Sequence, residues 1–120
     1  MMRTNFKMED ENITMVKGDT LSFNVQIFDE DGSPMTVDSA DFTCKKNVVG
    51  DEVVFHKSLG AGILQSEGLL TVRVAPFDTV EADAGRYFYD LQIGVDGDIF
   101  TVMRGVLEIE QDVTHGSLGG

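Results

Sequence analysis

One segment in the C-terminal half of the chain, DAGRYFYDLQI at residues 83–93, constrains the fold more than any other. Asp83, Gly85 and Tyr87 form an Asp-x-Gly-x-Tyr motif at the start of an apolar run in which a second tyrosine follows at Tyr89. In β-sandwich domains this motif leads into a tyrosine corner, where the tyrosine hydroxyl bonds back to the backbone a few residues upstream. The segment therefore predicts a sandwich strand that begins at a structural tyrosine corner. It indicates an architecture and not a chemistry.

Alternation of apolar and polar residues predicts further strands along the whole chain. The clearest has four apolar residues separated by Ser22, Asn24 and Gln26, namely Leu21, Phe23, Val25 and Ile27. Turn residues recur about every ten positions, which is the spacing of sandwiches and barrels. No window has the period of an amphipathic helix. The segment at residues 77–83 is expected to form a single helical turn or a wide corner.

The predicted fold class is all-β, an immunoglobulin-like antiparallel β-sandwich of about seven to nine strands. Further strands are expected near residues 12–16, 40–49, 63–64, 70–74 and 99–109, with another beginning at Val53. We expect one domain at residues 12–114, preceded by an N-terminal extension at 1–11 and followed by a flexible tail at 115–120.

The last hairpin has two possible registers, because Asp96 and Gly97 favour the positive φ angles of a tight turn. A two-residue turn directs four side chains to the core, namely Leu91, Ile93, Phe100 and Val102. Leu107 and Ile109 would then need a bulge near Gly105 to reach the same face.

A three-residue loop with a glycine bulge would instead turn Ile99 and Met103 inward. The outer face of the sheet would then be apolar and would need a partner. The candidate interface residues of this register are Phe88, Phe100, Val102 and Val106.

Charge and composition exclude several classes of protein. The 120 residues carry nine Lys and Arg against 21 Asp and Glu, a net charge of -12, which argues against binding nucleic acid through phosphates. The same acidic surface could suit a basic protein partner. No apolar run has the length of a signal peptide or a membrane span, so we expect neither a membrane role nor standard export. Cys44 cannot form an internal disulfide and is expected to be a small buried hydrophobe in a strand.

No catalytic or metal constellation emerges from the residues. Four aspartates in predicted turns could converge on calcium, namely Asp29, Asp31, Asp96 and Asp98, but their spacing fails the EF-hand pattern. His56 and His115 have no nucleophile motif beside them, and Cys44 or Ser58 near His56 is a coincidence of composition. The KGDT sequence at residues 17–20 lacks the glycine spacing of a phosphate loop and predicts a turn. We therefore expect no enzyme activity, no metal and no cofactor.

Tyr87 and Tyr89 could stack on sugars if they were exposed, but alternate aromatic residues in a strand favour core and corner positions. A glycan-binding or adhesin-like module is the alternative function. For that alternative, substitution of Tyr89 should abolish binding while leaving the fold intact.

Four sequence blocks follow one another along the chain: KGDT at 17–20, DGSPM at 31–35, GRYFYDL at 85–91, and TVMRG at 101–105 with DVT at 112–114. Their order resembles the immunoglobulin-like domains of phage tail and baseplate proteins. In particular, it is similar to the N-terminal domain of upper baseplate proteins of siphophages that infect Gram-positive hosts.

This resemblance implies a virion structural protein of a phage or prophage, made in the bacterial cytoplasm. Such a protein would act without catalysis, by assembling with copies of itself or with other tail proteins. The expected state is a homo-oligomer. Members of that family usually continue into a longer C-terminal part with a receptor-binding element, whereas this sequence ends shortly after Thr114.

Overall fold

The computed structural model describes residues 9–50 and 52–111, which form nine strands and one short helix. The strands are β1 (Glu9–Asp10), β2 (Ile13–Val16), β3 (Leu21–Gln26), β4 (Ser39–Lys45), β5 (Val53–Leu59), β6 (Gly62–Ser66), β7 (Leu69–Val74), β8 (Gly85–Val95) and β9 (Asp98–Glu110). The helix α1 (Pro76–Thr79) lies between β7 and β8. The predicted tail at 115–120 lies outside the described residues.

The strands form one hydrogen-bonded path in the order β1-β9-β8-β4-β5-β6-β7-β3, with β2 also beside β9. All neighbours are antiparallel except β1 and β2 along β9, and a two-residue contact where β5 meets β6. The path folds over at that short contact. One layer consists of β9, β8, β4 and β5, and the other consists of β6, β7 and β3.

Aromatic contacts show that the two layers pack face to face. The Phe42 ring lies 5.4 Å from that of Phe23, which belongs to the opposite layer. It also lies 5.9 Å from Phe55 and 5.4 Å from Tyr89 within its own layer. The most deeply buried side chains come from both layers and include Phe42, Ile63, Leu70, Val72, Leu91 and Leu107. This alternation of inward apolar residues is what the sequence pattern predicts.

The neighbour relations are those of an immunoglobulin-like sandwich. Strands β3, β7 and β6 occupy the places of strands B, E and D, and β9, β8 and β4 those of G, F and C, with β5 extending the second layer. The all-β immunoglobulin-like fold predicted from the sequence is therefore confirmed.

The sandwich begins earlier than the sequence indicates. Residues 9–10, placed in the N-terminal extension, pair with Met103 and Arg104 of β9. The Glu11 amide then donates to the Arg104 carbonyl at 3.0 Å. Strand β5, expected from Val53, continues to Leu59 before the chain turns from one layer to the other.

The helix α1 begins at Pro76, whose fixed φ suits the first helical position and which cannot continue β7. Asp78 caps it, because its carboxylate accepts a hydrogen bond from the Ala75 amide at 2.7 Å. Thr79 is fully buried, and its hydroxyl accepts a bond from the Gly18 amide at 2.9 Å. The helix thereby ties the β2–β3 turn to the approach to β8.

Candidate interaction surfaces

A tyrosine corner stands at the entry to β8. The Tyr87 hydroxyl donates a hydrogen bond to the Asp83 carbonyl at 2.6 Å, four residues upstream. Gly85 has a φ of 152°, which favours glycine, at the residue where the chain enters the strand. Burial raises the pKa of Tyr87 above its usual value, and the Asp83 carboxylate raises it further. The hydroxyl therefore keeps its proton. The three motif residues therefore act together in one architectural contact.

The last hairpin adopts the first of the two registers. Asp96 and Gly97 form the two-residue turn with φ angles of 52° and 86°. Ile93 then lies opposite Phe100, as that register requires. The bulge falls at Val102, because Gln92 pairs with Thr101 while Leu91 pairs with Met103. The three-residue loop is therefore wrong. The expected bulge that brings Leu107 and Ile109 to the core face does form, but at Val102 and not at Gly105.

This register removes two of the four candidate interface residues from the surface. Val102 is only 5% exposed, because the bulge directs it inward. Phe100 is partly buried against the core, as expected for a residue opposite Ile93. Phe88 and Val106 remain, and they are cross-strand neighbours on the outer face of the sheet.

Phe88 and Val106 line a cleft of about 530 Å³ on the outer face of β4, β8 and β9, here called the sheet cleft. Polar side chains surround this apolar pair, namely Thr43, Lys45, Asn47, Asp90, Gln92 and Arg104. Burial raises the pKa of Asp90, and the nearby Lys45 opposes that effect. The sheet cleft can therefore accept a ligand with both an apolar face and hydrogen-bonding groups.

Tyr89 cannot serve as a sugar platform, although it also lines the sheet cleft. Its side chain faces the core and is buried, and its hydroxyl donates to the Glu11 carbonyl at 2.6 Å. The aromatic ring on the outer face of this strand is that of Phe88.

A second cleft, of about 630 Å³, lies where α1 packs near β5 and is here called the corner cleft. Three of its apolar side chains are unusually exposed: Phe77 at 74%, Val80 at 53% and Val53 at 50%. Sequence reasoning placed a corner in this region but missed its exposed surface. The available indication was Phe77 within a single helical turn and Val80 directly after it, because one turn can bury only one side.

A buried ion pair fixes one wall of the corner cleft. The Lys57 ammonium lies 2.6 Å from the Asp78 carboxylate, and both side chains are largely buried. The same ammonium lies 5.3 Å from the centre of the Phe77 ring. Lys57 faces the core side of β5 because it alternates with Phe55, so the pair holds α1 against that strand.

The other residues considered for metal binding or catalysis lie in turns, on the exposed side of the sheet or in the core. Asp29 accepts bonds from the Asp31 and Ser33 amides at 2.8 and 3.1 Å, which is ordinary turn chemistry. Within the described part of the chain, no three His, Cys, Asp or Glu residues are grouped to hold a metal.

His56 pairs with Asp41 at 2.8 Å on the exposed side of the sheet. Cys44 is buried on the core side, and burial raises the pKa of its thiol from 9.0 to about 12. The thiol is therefore an inert buried hydrophobe, as predicted. His115 lies outside the described residues.

Fold and surfaces together define a small immunoglobulin-like sandwich whose described residues include the two amphipathic clefts above. No family model matches the chain, and neither does any curated protein. Among solved structures, it is similar to Drosophila OTK, extracellular domains 3–5, at 13% identity and a TM-score of 0.37. That match covers 92% of this chain and 35% of the other. Among the described residues, no helix is long and apolar enough to cross a membrane.

Proposed function

We propose that this protein is a non-enzymatic structural component of a phage or prophage tail or baseplate, acting through contacts with its own copies or other tail proteins. The observation that carries the proposal is the apolar surface of the corner cleft, where Phe77 is 74% exposed to water. Clustered exposed apolar side chains with a polar rim are typical of protein interaction sites. The sequence blocks that resemble phage sandwich domains support the tail assignment.

Light scattering after size exclusion, at low and high salt, tests assembly. We expect a discrete oligomer of the 13.1 kDa chain at both salt concentrations, because ions screen the charges that rim the cleft but not the apolar contact at its centre. A monomer in both buffers, over the full accessible concentration range, would contradict self-assembly.

The tail assignment needs a separate experiment. Mass spectrometry of tail particles purified from the source bacterium after prophage induction should find the chain at a fixed ratio to other tail proteins. Its absence from intact particles would contradict a virion role, whatever the oligomeric state of the purified chain.

The sheet cleft favours a second candidate function, binding of a glycan. Sugars are recognised by an aromatic face combined with planar polar side chains, and Phe88 lies there beside Asp90 and Gln92. A glycan array with the Phe88→Ala variant tests this function, with Phe77→Ala as the control for a lost exposed aromatic. Binding that is lost with Phe88→Ala and kept with Phe77→Ala would support it, and no binding by the original chain would exclude it.

A further inference from the structure

The corner cleft has a defined charge pattern around its apolar centre. Three exposed carboxylates surround its apolar side chains, namely those of Glu52, Glu81 and Asp83. The remaining lining carboxylate, on Asp78, is paired with Lys57. Among the described residues that line the cleft, Lys46 is the only cation. The cleft therefore suits an occupant that combines positive charge with apolar side chains.

This pattern argues against two corner clefts facing each other. Across a two-fold axis, the same patch would meet itself, and the carboxylates would be placed near their own copies. Like charges in such contacts are unfavourable. A different, cationic surface is needed.

The chain contains such a segment at residues 1–8, MMRTNFKM. It has Arg3 and Lys7 and no acidic residue, in a protein with 21 Asp and Glu against nine Lys and Arg. Phe6 and Met8 supply apolar side chains beside these charges. The segment is thus complementary in both charge and polarity to the corner cleft.

The direction of the chain decides between the same copy and a neighbouring one. Strands β1 and β2 run parallel to β9, and at their end the Lys17 amide bonds to the Glu110 carbonyl. The next residue, Gly18, bonds to Thr79 in α1, so β2 ends at the corner. Residue 9 therefore lies seven residues, about 23 Å, away from that end.

The eight preceding residues span at most about 28 Å when fully extended. To reach its own corner cleft, the segment would have to reverse at residue 9 and use nearly all of that length. A neighbouring copy imposes no such demand.

We propose that residues 1–8 of one copy dock in the corner cleft of the next copy, with Arg3 and Lys7 near Glu81 and Asp83 and an apolar side chain against Phe77. This inference rests on the proposed self-assembly and names its contact. The two surfaces differ, so the contact is head-to-tail, and the discrete oligomer expected above requires that the copies close into a ring.

Charge exchange in the full chain tests the contact. The variants are Arg3→Glu with Lys7→Glu on the segment, Glu81→Lys with Asp83→Lys on the cleft, and all four changes together. We expect each pair to raise the concentration for half-association by about tenfold or more, and the fourfold variant to recover most of that loss. The control is Glu30→Lys with Asp31→Lys, which makes the same charge change at two exposed residues outside the cleft.

A synthetic peptide of residues 1–8 provides the second measurement, with the ¹⁵N-labelled Arg3→Glu, Lys7→Glu chain as receptor. Amide shifts should concentrate at Val53, Phe77 and Val80. Absence of shifts there would overturn the inference.

The outcomes separate this inference from the proposed function. Association that is unchanged by both charge pairs overturns the docking contact but leaves self-assembly in place. In another outcome, the chain stays monomeric and the Phe77 amide resonance differs between the original chain and the Arg3→Glu, Lys7→Glu chain. The segment then docks within its own copy. That result overturns both the contact between copies and the self-assembly that it would build.

Discussion

The Tyr89 hydroxyl donates a hydrogen bond to the Glu11 carbonyl at 2.6 Å, joining two residues that are 78 positions apart. Gly105 makes this bond possible, because it lies opposite Tyr89 in β9 and has no side chain to block the Glu11 carbonyl. The Glu11 amide is held as well, by the Arg104 carbonyl at 3.0 Å. Tyr89 therefore ties the beginning of the described chain to the middle of the sheet.

Replacing Tyr89 with Phe should lower the free energy of unfolding by about 1 to 2 kcal/mol, because a buried hydrogen bond is lost while the ring is kept. Urea denaturation followed by circular dichroism measures the change. A stability equal to that of the original chain would show that the Glu11 bond contributes nothing in solution.

Substitution of Gly105 by Ala should also destabilise the sandwich, by about 1 to 3 kcal/mol, because the new Cβ would overlap the Glu11 carbonyl. Gly94→Ala is the matched control in the adjacent strand. Its Cβ would meet the Ser39 hydroxyl, which can rotate away, so the loss should be smaller. Equal losses in the same denaturation experiment would contradict this account of Gly105.

Tyr87→Phe removes the hydroxyl of the tyrosine corner and should cost about 1 to 2 kcal/mol of unfolding free energy. The Tyr87 hydroxyl donates to the Asp83 carbonyl and the Tyr89 hydroxyl to the Glu11 carbonyl, so the two hydrogen bonds have different acceptors. The double variant should therefore lose an unfolding free energy close to the sum of the two single losses. A free energy of unfolding that is unchanged in Tyr87→Phe would show that the corner hydrogen bond does not stabilise the fold.

Local patterns were sufficient to predict much of this fold. The alternation around Phe23 and the Asp-x-Gly-x-Tyr approach to Tyr87 each depend on a few neighbouring residues, and Asp96 and Gly97 favour their turn through φ alone. The bulge at Val102 was not predictable in this way. Val102 and Met103 are adjacent and both apolar, so either can face the core until the opposite strand fixes the register.

The surfaces were harder to predict than the fold because they depend on contacts between distant residues. A single helical turn indicates that one side stays exposed, but which side depends on how α1 sits against β5, and no local pattern contains that contact. Lys57 did leave an indication, because its alternation with Phe55 puts a charge on an apolar face. Such a charge needs a buried partner, here Asp78, but the sequence does not say which carboxylate will supply it.

Replacing Lys57 with Met should destabilise the protein by about 3 kcal/mol, because the Asp78 carboxylate would stay buried without its cation. His56→Ala, which breaks the exposed pair with Asp41, is the control and should change stability by at most about 0.5 kcal/mol. Adding Asp78→Asn to Lys57→Met should recover part of the loss by removing the buried charge. Similar losses for the Lys57→Met and His56→Ala chains would contradict a buried role for the ion pair.

Stability should fall steeply in alkaline solution because of Cys44. Burial raises the pKa of its thiol from 9.0 to about 12, so the unfolded chain loses this proton first as the pH rises. The stabilisation from the neutral thiol is complete below pH 9 and is lost between pH 9 and 12, by at most about 1.4 kcal/mol per pH unit. Burial also raises the pKa of Tyr87, which adds a loss of the same sign in every variant that keeps this residue. We therefore compare urea denaturation of the original and Cys44→Ala chains from pH 7 to 11 and expect a shallower decline in the variant. Parallel curves would mean that the thiol ionises as readily in the folded protein as in the unfolded chain.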